Sequence, residues 1–115
     1  MQKDTFGKRG EIIAINYLKN QGYKIIATNY KNKIGEIDII AKDKDYIVFI
    51  EVKARYSGKF GNPLDAINER KQLKVRQVAT LYLMKNQLMN ANIRFDVIAV
   101  LGEEDCEIQH IKDAF

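Results

Sequence analysis

Apolar and polar positions alternate along this chain with a period that changes several times, and each change marks an element. In residues 5–20, Phe6, Gly10, Ile13 and Tyr17 recur at the three- or four-residue spacing of a helix face, with Asp4 or Thr5 placed to cap the start and Gly22 to end it. Ile12 and Ile15 fall elsewhere on the wheel, so this helix is expected to be covered on more than one side. From Tyr23 to Tyr30, β-branched and aromatic residues predict a strand, after which Asn32 and Lys33 turn the chain. Gly35–Ala41 is predicted as a second strand and Tyr46–Arg55 as a third, the latter so apolar through Phe49 and Ile50 that it belongs in the middle of a sheet. Residues 56–62 read as a basic loop. Asn62 before Pro63 reads as a cap followed by a first-turn proline, Asn68 can cap a restart, and Leu73, Val78, Leu81 and Tyr82 carry a second helix to about Gln87. Ile93–Leu101 is a fourth strand, Gly102–Asp105 a turn, and Glu107–Ile111 a short edge strand. The order αβββαββ predicts an α/β protein with a mixed central β-sheet flanked by helices.

Length and composition narrow the class. At 115 residues the chain is one domain's worth, residues 1–115, with a hydrophobic fraction of 46% and a charged fraction of 30% that allow both a core and solubility. No stretch approaches the ~20 consecutive apolar residues that span a bilayer, and Met1–Gly10 lacks the apolar core of a signal peptide. A cytoplasmic protein with no membrane partner is therefore expected. Cys106 is the single cysteine, which excludes an internal disulfide and a cysteine-based zinc site.

The net charge of +4 is modest, but its distribution is uneven. Residues 1–35 carry a net +5, 36–52 carry −3, 53–76 carry +5 and 102–115 carry −4. An acidic middle bracketed by two basic segments suits a divalent-cation site set in a phosphate-attracting surface; the plainer reading is helix faces solvated by lysine.

Polar residues interrupt the second and third strands in an unusual way. By alternation, Glu36 and Asp38 share one face of the second strand and Ile37 and Ile39 the other, while Glu51 and Lys53 share a face with Ile47 and Phe49 in the third. Unpaired buried charge costs on the order of several kcal/mol, so these groups need compensation. If Lys44 and Asp45 form a two-residue hairpin loop, Asp38 faces Glu51 and Glu36 faces Lys53, with Cβ atoms roughly 4.5–5.5 Å apart. A turn at Asp43 and Lys44 would instead leave Asp38 one diagonal step from Glu51. Three carboxylates and a lysine in one patch repel unless a cation binds, and an all-oxygen ligand set suits Mg²⁺ or Mn²⁺ rather than zinc. Such a patch supports attack of water on a phosphodiester. Asp38 and Glu51 would hold the metal, which lowers the pKa of a bound water, while Lys53 orients the nucleophile or offsets developing charge. The alternative is an exposed face of cross-strand ion pairs, Glu36 with Lys53 among them.

Gly35-Glu36-Ile37-Asp38, then twelve residues, then Glu51-Val52-Lys53 resembles the Asp…Glu-x-Lys signature of the nuclease superfamily of type II restriction enzymes and archaeal Holliday junction resolvases. The resemblance is closer to the small bacterial YraN-like family, itself similar to those resolvases, and it covers nearly the whole chain. Its blocks are Gly7-Lys8-Arg9-Gly10-Glu11, Asn29-Tyr30, Phe49-Ile50-Glu51-Val52-Lys53 and Arg70-Lys71-Gln72. The resemblance implies a restriction-endonuclease-like fold acting on DNA, branched or junction DNA included, with Mg²⁺. By position it gives the metal-ligand role to Asp38 and Glu51 and the catalytic-lysine role to Lys53, with an accessory acidic role for Glu11 and a supporting polar role for Gln72. The superfamily's usual proline before the first aspartate is absent, which is the norm for the YraN-like family and removes no ligand. Resolvases work as twofold dimers because a junction is nearly symmetric, so a homodimer is expected.

The remaining candidates have ordinary alternatives. Glu11 could pair with Lys8 or join a cap, and Gln72 could be a solvated residue. Arg55, Lys59, Arg70, Lys71 and Lys74 follow the carboxylates in sequence and could contact DNA phosphates, or be plain surface. Tyr56 and Phe60 could stack on an unpaired base or fold onto the core. A metal-dependent DNA endonuclease is the reading favoured by the intact Asp38, Glu51 and Lys53. Its rivals are a non-catalytic DNA-binding accessory subunit with a retained nuclease fold, and a metal-binding structural protein with no nucleic-acid partner.

Overall fold

The computed structural model describes residues 5–55, 67–102 and 105–115, with the side chains of residues 5 and 6 outside that description. The Tyr56–Asn62 loop with Lys59, the Asn62–Pro63 start, the Asp4 cap, the Phe6 side chain and part of the Gly102–Asp105 turn lie outside the described residues. The observed order is α1 (Thr5–Asn20), β1 (Lys24–Lys31), β2 (Glu36–Asp43), β3 (Tyr46–Arg55), α2 (Glu69–Lys85), β4 (Asn92–Leu101) and β5 (Glu107–Ile111). This is the expected αβββαββ arrangement. The strands form one mixed sheet in the order β1-β2-β3-β4-β5, in which only the β3–β4 pair is parallel and β5 lies at an edge.

Local chemistry fixes the element ends. Helix α1 stops because Gly22 adopts a left-handed φ of +92°, which lets the Tyr23 N–H reach the Leu18 carbonyl at 2.9 Å and the Gly22 N–H reach Lys19 at 3.0 Å. Helix α2 starts at Asn68, whose side-chain oxygen accepts the Lys71 N–H at 2.8 Å. The β2–β3 hairpin closes over Lys44 and Asp45, with Lys44 at φ +56° and Asp43 paired to Tyr46.

The two helices cover opposite faces. Ala14 and Leu18 of α1 pack with Ile39, Ala41, Val48, Ile50, Ile98 and Val100. Val75, Val78, Ala79, Tyr82 and Leu83 of α2 pack with Ile37, Ile40, Ile47, Phe49 and Phe95. The buried stripe of α1 is thus Gly10, Ala14 and Leu18, one position round from the expected Ile13 and Tyr17, and Ile12 is 58% exposed. Gly10 sets this orientation: a Cβ there would lie 3.0 Å from the Ala54 Cβ, so its absence lets α1 rest directly on β3. On α2, Leu73 faces solvent rather than the core, at 58% exposure.

One expectation about β2 fails in an informative way. Ile37 and Ile39 do not share a face: Ile37 packs under α2 and Ile39 under α1. Thr28 pairs with Ile39 and Tyr30 with Ile37, which places Asn29 opposite Asp38, and Asn29 has a left-handed φ of +50°. On β1, Ala27 and Tyr30, three residues apart, both pack on the α2 side. Both strands therefore change phase at the Asn29–Asp38 level, because simple alternation does not survive a left-handed residue.

Candidate metal and phosphodiester site

The carboxylates sit where the sheet opens. The β2–β3 ladder runs from Asp43–Tyr46 to Ile39–Ile50 and stops there. Asp38 and Glu51 are the next residues on each strand, and their side chains take over the hydrogen bonding. The Val52 N–H donates to Asp38 Oδ2 at 2.8 Å, and the Asp38 N–H donates to Glu51 Oε2 at 3.4 Å. The facing of Asp38 and Glu51 expected from a Lys44–Asp45 turn is thus observed. The expected Glu36–Lys53 facing is not, because the strands have already parted; Glu36 instead pairs with Lys31 of β1 at 3.8 Å.

Burial makes this pair electrostatically tense. Glu51 is 2% exposed. Desolvation first, and the nearby Asp38 charge second, push its carboxyl up to about 7, against the opposing pull of Lys71, the Asp38 N–H and Lys53. The Asp38 carboxyl is also raised by desolvation, less the effects of the Val52 N–H, Lys71 and Lys53. Lys53 therefore lies near enough for its charge to act on both carboxylates. Lys71, expected only as a phosphate contact, reaches from α2 to within 3.7 Å of Glu51 Oε1.

Glu11 joins the site from the opposite helix. Its carboxyl is raised by desolvation and by the Asp38 charge, and it is hydrogen-bonded to the Asn29 side chain. The structure therefore places Glu11 toward the carboxylates rather than in a cap of α1, although Lys8 also acts on it. Gln72 is not brought there: its Nε2 donates to the Ile67 carbonyl at 3.0 Å, tying the first turn of α2 to the residue before its cap. Arg55 is exposed at the end of β3, with Nη1 donating to the Ala54 carbonyl at 3.1 Å. Arg70, Lys71 and Lys74 line a groove with Gly35 and Glu36 beside the pair. Lys59 lies outside the described residues.

Among the described residues, no three His, Cys, Asp or Glu side chains converge closely enough to hold a metal by themselves. Two hard, desolvated carboxylates nevertheless fit Mg²⁺, which favours one or two protein carboxylates and completes its shell with water and substrate phosphate oxygens. The donor set does not fit zinc. The single histidine, His110, is committed elsewhere.

That commitment is a second polar cluster which sequence reasoning missed. Asp96 is fully buried, and Arg94 grips it with Nε to Oδ1 at 2.9 Å and Nη2 to Oδ2 at 3.0 Å. Arg94 also donates to Asp43 Oδ2 at 3.1 Å and to the Tyr23 hydroxyl at 2.8 Å. His110 Nε2 lies 2.7 Å from Asp96 Oδ2, and Tyr17 Oη 3.0 Å from His110 Nδ1. A carboxylate only accepts, so the His110 Nε2–H donates to Asp96, and in the neutral imidazole Nδ1 then accepts the Tyr17 hydroxyl. Burial works to raise the Asp96 carboxyl, but hydrogen bonds from His110, Arg94 and the Asp113 N–H together hold it below its ordinary value. The sequence signal was the lone Arg94-x-Asp96 alternation inside an otherwise apolar strand.

The chain matches the profile of the uncharacterised protein family UPF0102, also known as YraN, over residues 10–100. It is 50% identical over 115 residues to a UPF0102 protein of Clostridioides difficile (strain 630), covering the whole of both chains. It is also 49% identical over 112 residues to a UPF0102 protein of Alkaliphilus oremlandii (strain OhILAs), covering 95% of this chain and 96% of the relative. The chain belongs to the UPF0102 family. Within this family member, Gly10, Asn29, Asp38, Glu51 and Lys71, all drawn from the sequence blocks of the resemblance, meet at or beside one opening of the sheet. No helix among the described residues is long and apolar enough to cross a membrane.

Proposed function

We propose that this UPF0102 protein is a metal-dependent DNA endonuclease that hydrolyses phosphodiester bonds, with branched DNA within its substrate range. The observation that supports this most is the buried Asp38–Glu51 pair at the fork of β2 and β3, desolvated and flanked by two lysines. Such a pair is costly to fold around, and ligands for a divalent cation are the use that fits the cost. Asp38 and Glu51 would hold Mg²⁺ or Mn²⁺, which when bound supplies Lewis-acid activation of water and of the phosphate. Lys53 stands beside both carboxylates, where an ammonium offsets charge developing on a phosphate. Arg70 and Lys74 neutralise the flanking DNA backbone, and two copies related by a twofold axis would address both strands of a junction.

The test is incubation of labelled four-way junction, flap, duplex and single-stranded DNA with Mg²⁺, Mn²⁺ or EDTA, beside an Asp38→Ala, Lys53→Ala double variant. Metal-dependent cleavage that disappears in the variant is expected. Salt-sensitive binding with no cleavage on any substrate would replace this reading with the accessory DNA-binding subunit.

A further inference from the structure

From beside the carboxylate pair, three adjoining grooves follow one flank of α2 and together make a shallow trough. Its near end is the groove of Arg70, Lys71 and Lys74 beside Gly35. Its middle is floored by Ile34, Leu73 and Leu81. Its far end is a groove of about 620 Å³ holding Tyr30, Met84, Lys31, Lys33 and Lys85. Ile34 is common to the first two sections and Leu81 to the last two, so the sections join. The helix alone is roughly 25 Å long at 1.5 Å per residue.

We propose that this trough binds a single strand of nucleic acid, the tail that continues from the phosphodiester held at Asp38 and Glu51. The proposal rests on the phosphodiesterase reading for its starting point only. Two features select the occupant. The walls are basic at both ends, with Glu36 the acidic residue among the linings and already paired to Lys31, so the trough complements a polyanion. The floor is apolar and exposed, Leu73 at 58% and Met84 at 56%, with the Tyr30 ring standing edge-on to Tyr82 at its far end. A duplex keeps its bases stacked inside and would set phosphates on that floor, leaving the apolar surface without a partner. An unpaired strand offers both phosphates for the lysines and base faces for Tyr30, Leu81 and Met84. A second copy of the same trough would oppose lysine to lysine.

The packing explains why the trough is open. Gly35 has no side chain, and a Cβ there would sit 3.4 Å from both Lys74 Cγ and Val78 Cγ2. The β1–β2 turn therefore lies low against α2 and leaves Ile34 at the base, with the helix row of Lys74, Leu81 and Lys85 above it.

The experiment is fluorescence anisotropy in EDTA, which separates binding from cleavage, using labelled oligo-dT of 4, 8, 12 and 16 nucleotides and a 16-base-pair duplex. Affinity is expected to climb with single-strand length until the trough is filled and to exceed that for the duplex. Lys33→Ala with Lys85→Ala should weaken the 16-mer at least tenfold, leave the 4-mer unchanged, and reduce the salt slope by about 1.4, at roughly 0.7 per phosphate neutralised. Leu81→Glu, a change at a half-exposed position, should do the same to the long oligonucleotides, and thermal melts establish that each variant is folded. Equal affinity for duplex and single strand, or variants that bind like the wild type, would overturn the proposal. So would binding of an acidic amphipathic peptide with no retention of any oligonucleotide, which would give the face to a protein partner. Cleavage of junction or duplex without single-strand retention would sink the trough and leave the nuclease standing. Length-dependent retention lost in the far-end variants, with no cleavage of any DNA, would do the reverse.

Discussion

Lys71 Nζ of α2 stands 3.7 Å from Glu51 Oε1 of β3, bridging from helix to sheet at the point where β2 and β3 part. The lysine is partly exposed and the glutamate almost wholly buried, so the ammonium offsets charge that Glu51 would otherwise bury with less compensation.

If Asp38 and Glu51 hold a divalent cation as proposed, Lys71 and that cation compete for the same carboxylate. Lys71→Ala is expected to tighten Mn²⁺ binding, by roughly 3- to 10-fold for loss of a unit charge a few ångströms away in a partly solvated site. The same variant should weaken DNA binding, since its ammonium also borders the groove that would carry the backbone. Calorimetry with Mn²⁺ and anisotropy with DNA would measure the two effects separately. Weaker Mn²⁺ binding would instead mean that Lys71 organises the carboxylates.

The pH dependence of the metal-free protein follows from carboxyls shifted in opposite directions, Glu11, Asp38 and Glu51 raised and Asp96 lowered. Glu51 has a folded value of about 7, above its ordinary 4.5, so between those values the folded state holds a proton that the unfolded chain releases. Stability should therefore fall as pH rises from about 4.5 to about 7 and then level off. Asp96 is held below its ordinary 3.8, so its contribution is present above that value and lost as the pH drops through the folded value. Denaturant melts in EDTA should show greater stability near pH 5 than near pH 8, with Mg²⁺ or Mn²⁺ restoring most at the alkaline end. Glu51→Gln should flatten the alkaline decline while abolishing metal binding; a decline that persists in it would remove Glu51 as the cause.

Much of this site was readable in advance because hairpin register is arithmetic. With Lys44 and Asp45 in the turn, the register that pairs Ile39 with Ile50 brings Asp38 up to Glu51 at the next step. The same arithmetic failed for Glu36 and Lys53 because it assumes a ladder that continues, and here the ladder ends at Ile39 and Ile50. The Ile37–Ile39 alternation failed for a related reason, since nothing in a period-two pattern announces that Asn29 will take a left-handed φ and change the phase of both strands. The Arg94, Asp96 and His110 cluster was hidden by distance in sequence: Tyr17 of α1, Tyr23 of the α1–β1 turn and Asp43 of β2 meet His110 and Arg94 only in the folded chain.

That cluster sits on the α1 side of the sheet, and its role follows from complete satisfaction. Asp96 accepts from Arg94, His110 and the Asp113 N–H, and no buried side-chain polar atom among the described residues is left without a partner. Asp96→Ala would strand Arg94 with half of its hydrogen bonds and leave His110 Nε2–H unpaired, an expected loss of about 3–5 kcal/mol. His110→Phe keeps a planar ring, slightly larger, but drops both hydrogen bonds, at about 1–3 kcal/mol. Urea titrations would rank the two. If this is a structural tie, any folded variant of His110 keeps the metal affinity of the wild type at Asp38 and Glu51.

Gly10 offers the sharpest steric test of how the site is assembled. Glu11 reaches Asn29 and the Asp38 charge only because α1 lies close on β3, and that closeness depends on a residue whose Cβ would come within 3.0 Å of Ala54 Cβ. Alanine there is a better helix former in the abstract, by about 1 kcal/mol, so an isolated helix would gain from the change. In the folded chain the added methyl must push α1 away from the sheet or force Ala54 aside. Gly10→Ala should therefore bring little or no stabilisation, and Gly10→Val should destabilise by roughly 1–3 kcal/mol. The displacement also moves Glu11, so if Glu11 has an accessory acidic role, Gly10→Val should lower metal-dependent cleavage by more than its folded fraction accounts for. Double substitution with Ala54→Gly removes the opposing methyl and should recover both stability and activity. Recovery of stability without activity would confine Gly10 to packing, and recovery of neither would mean that the contact with Ala54 is not what sets the helix on the sheet.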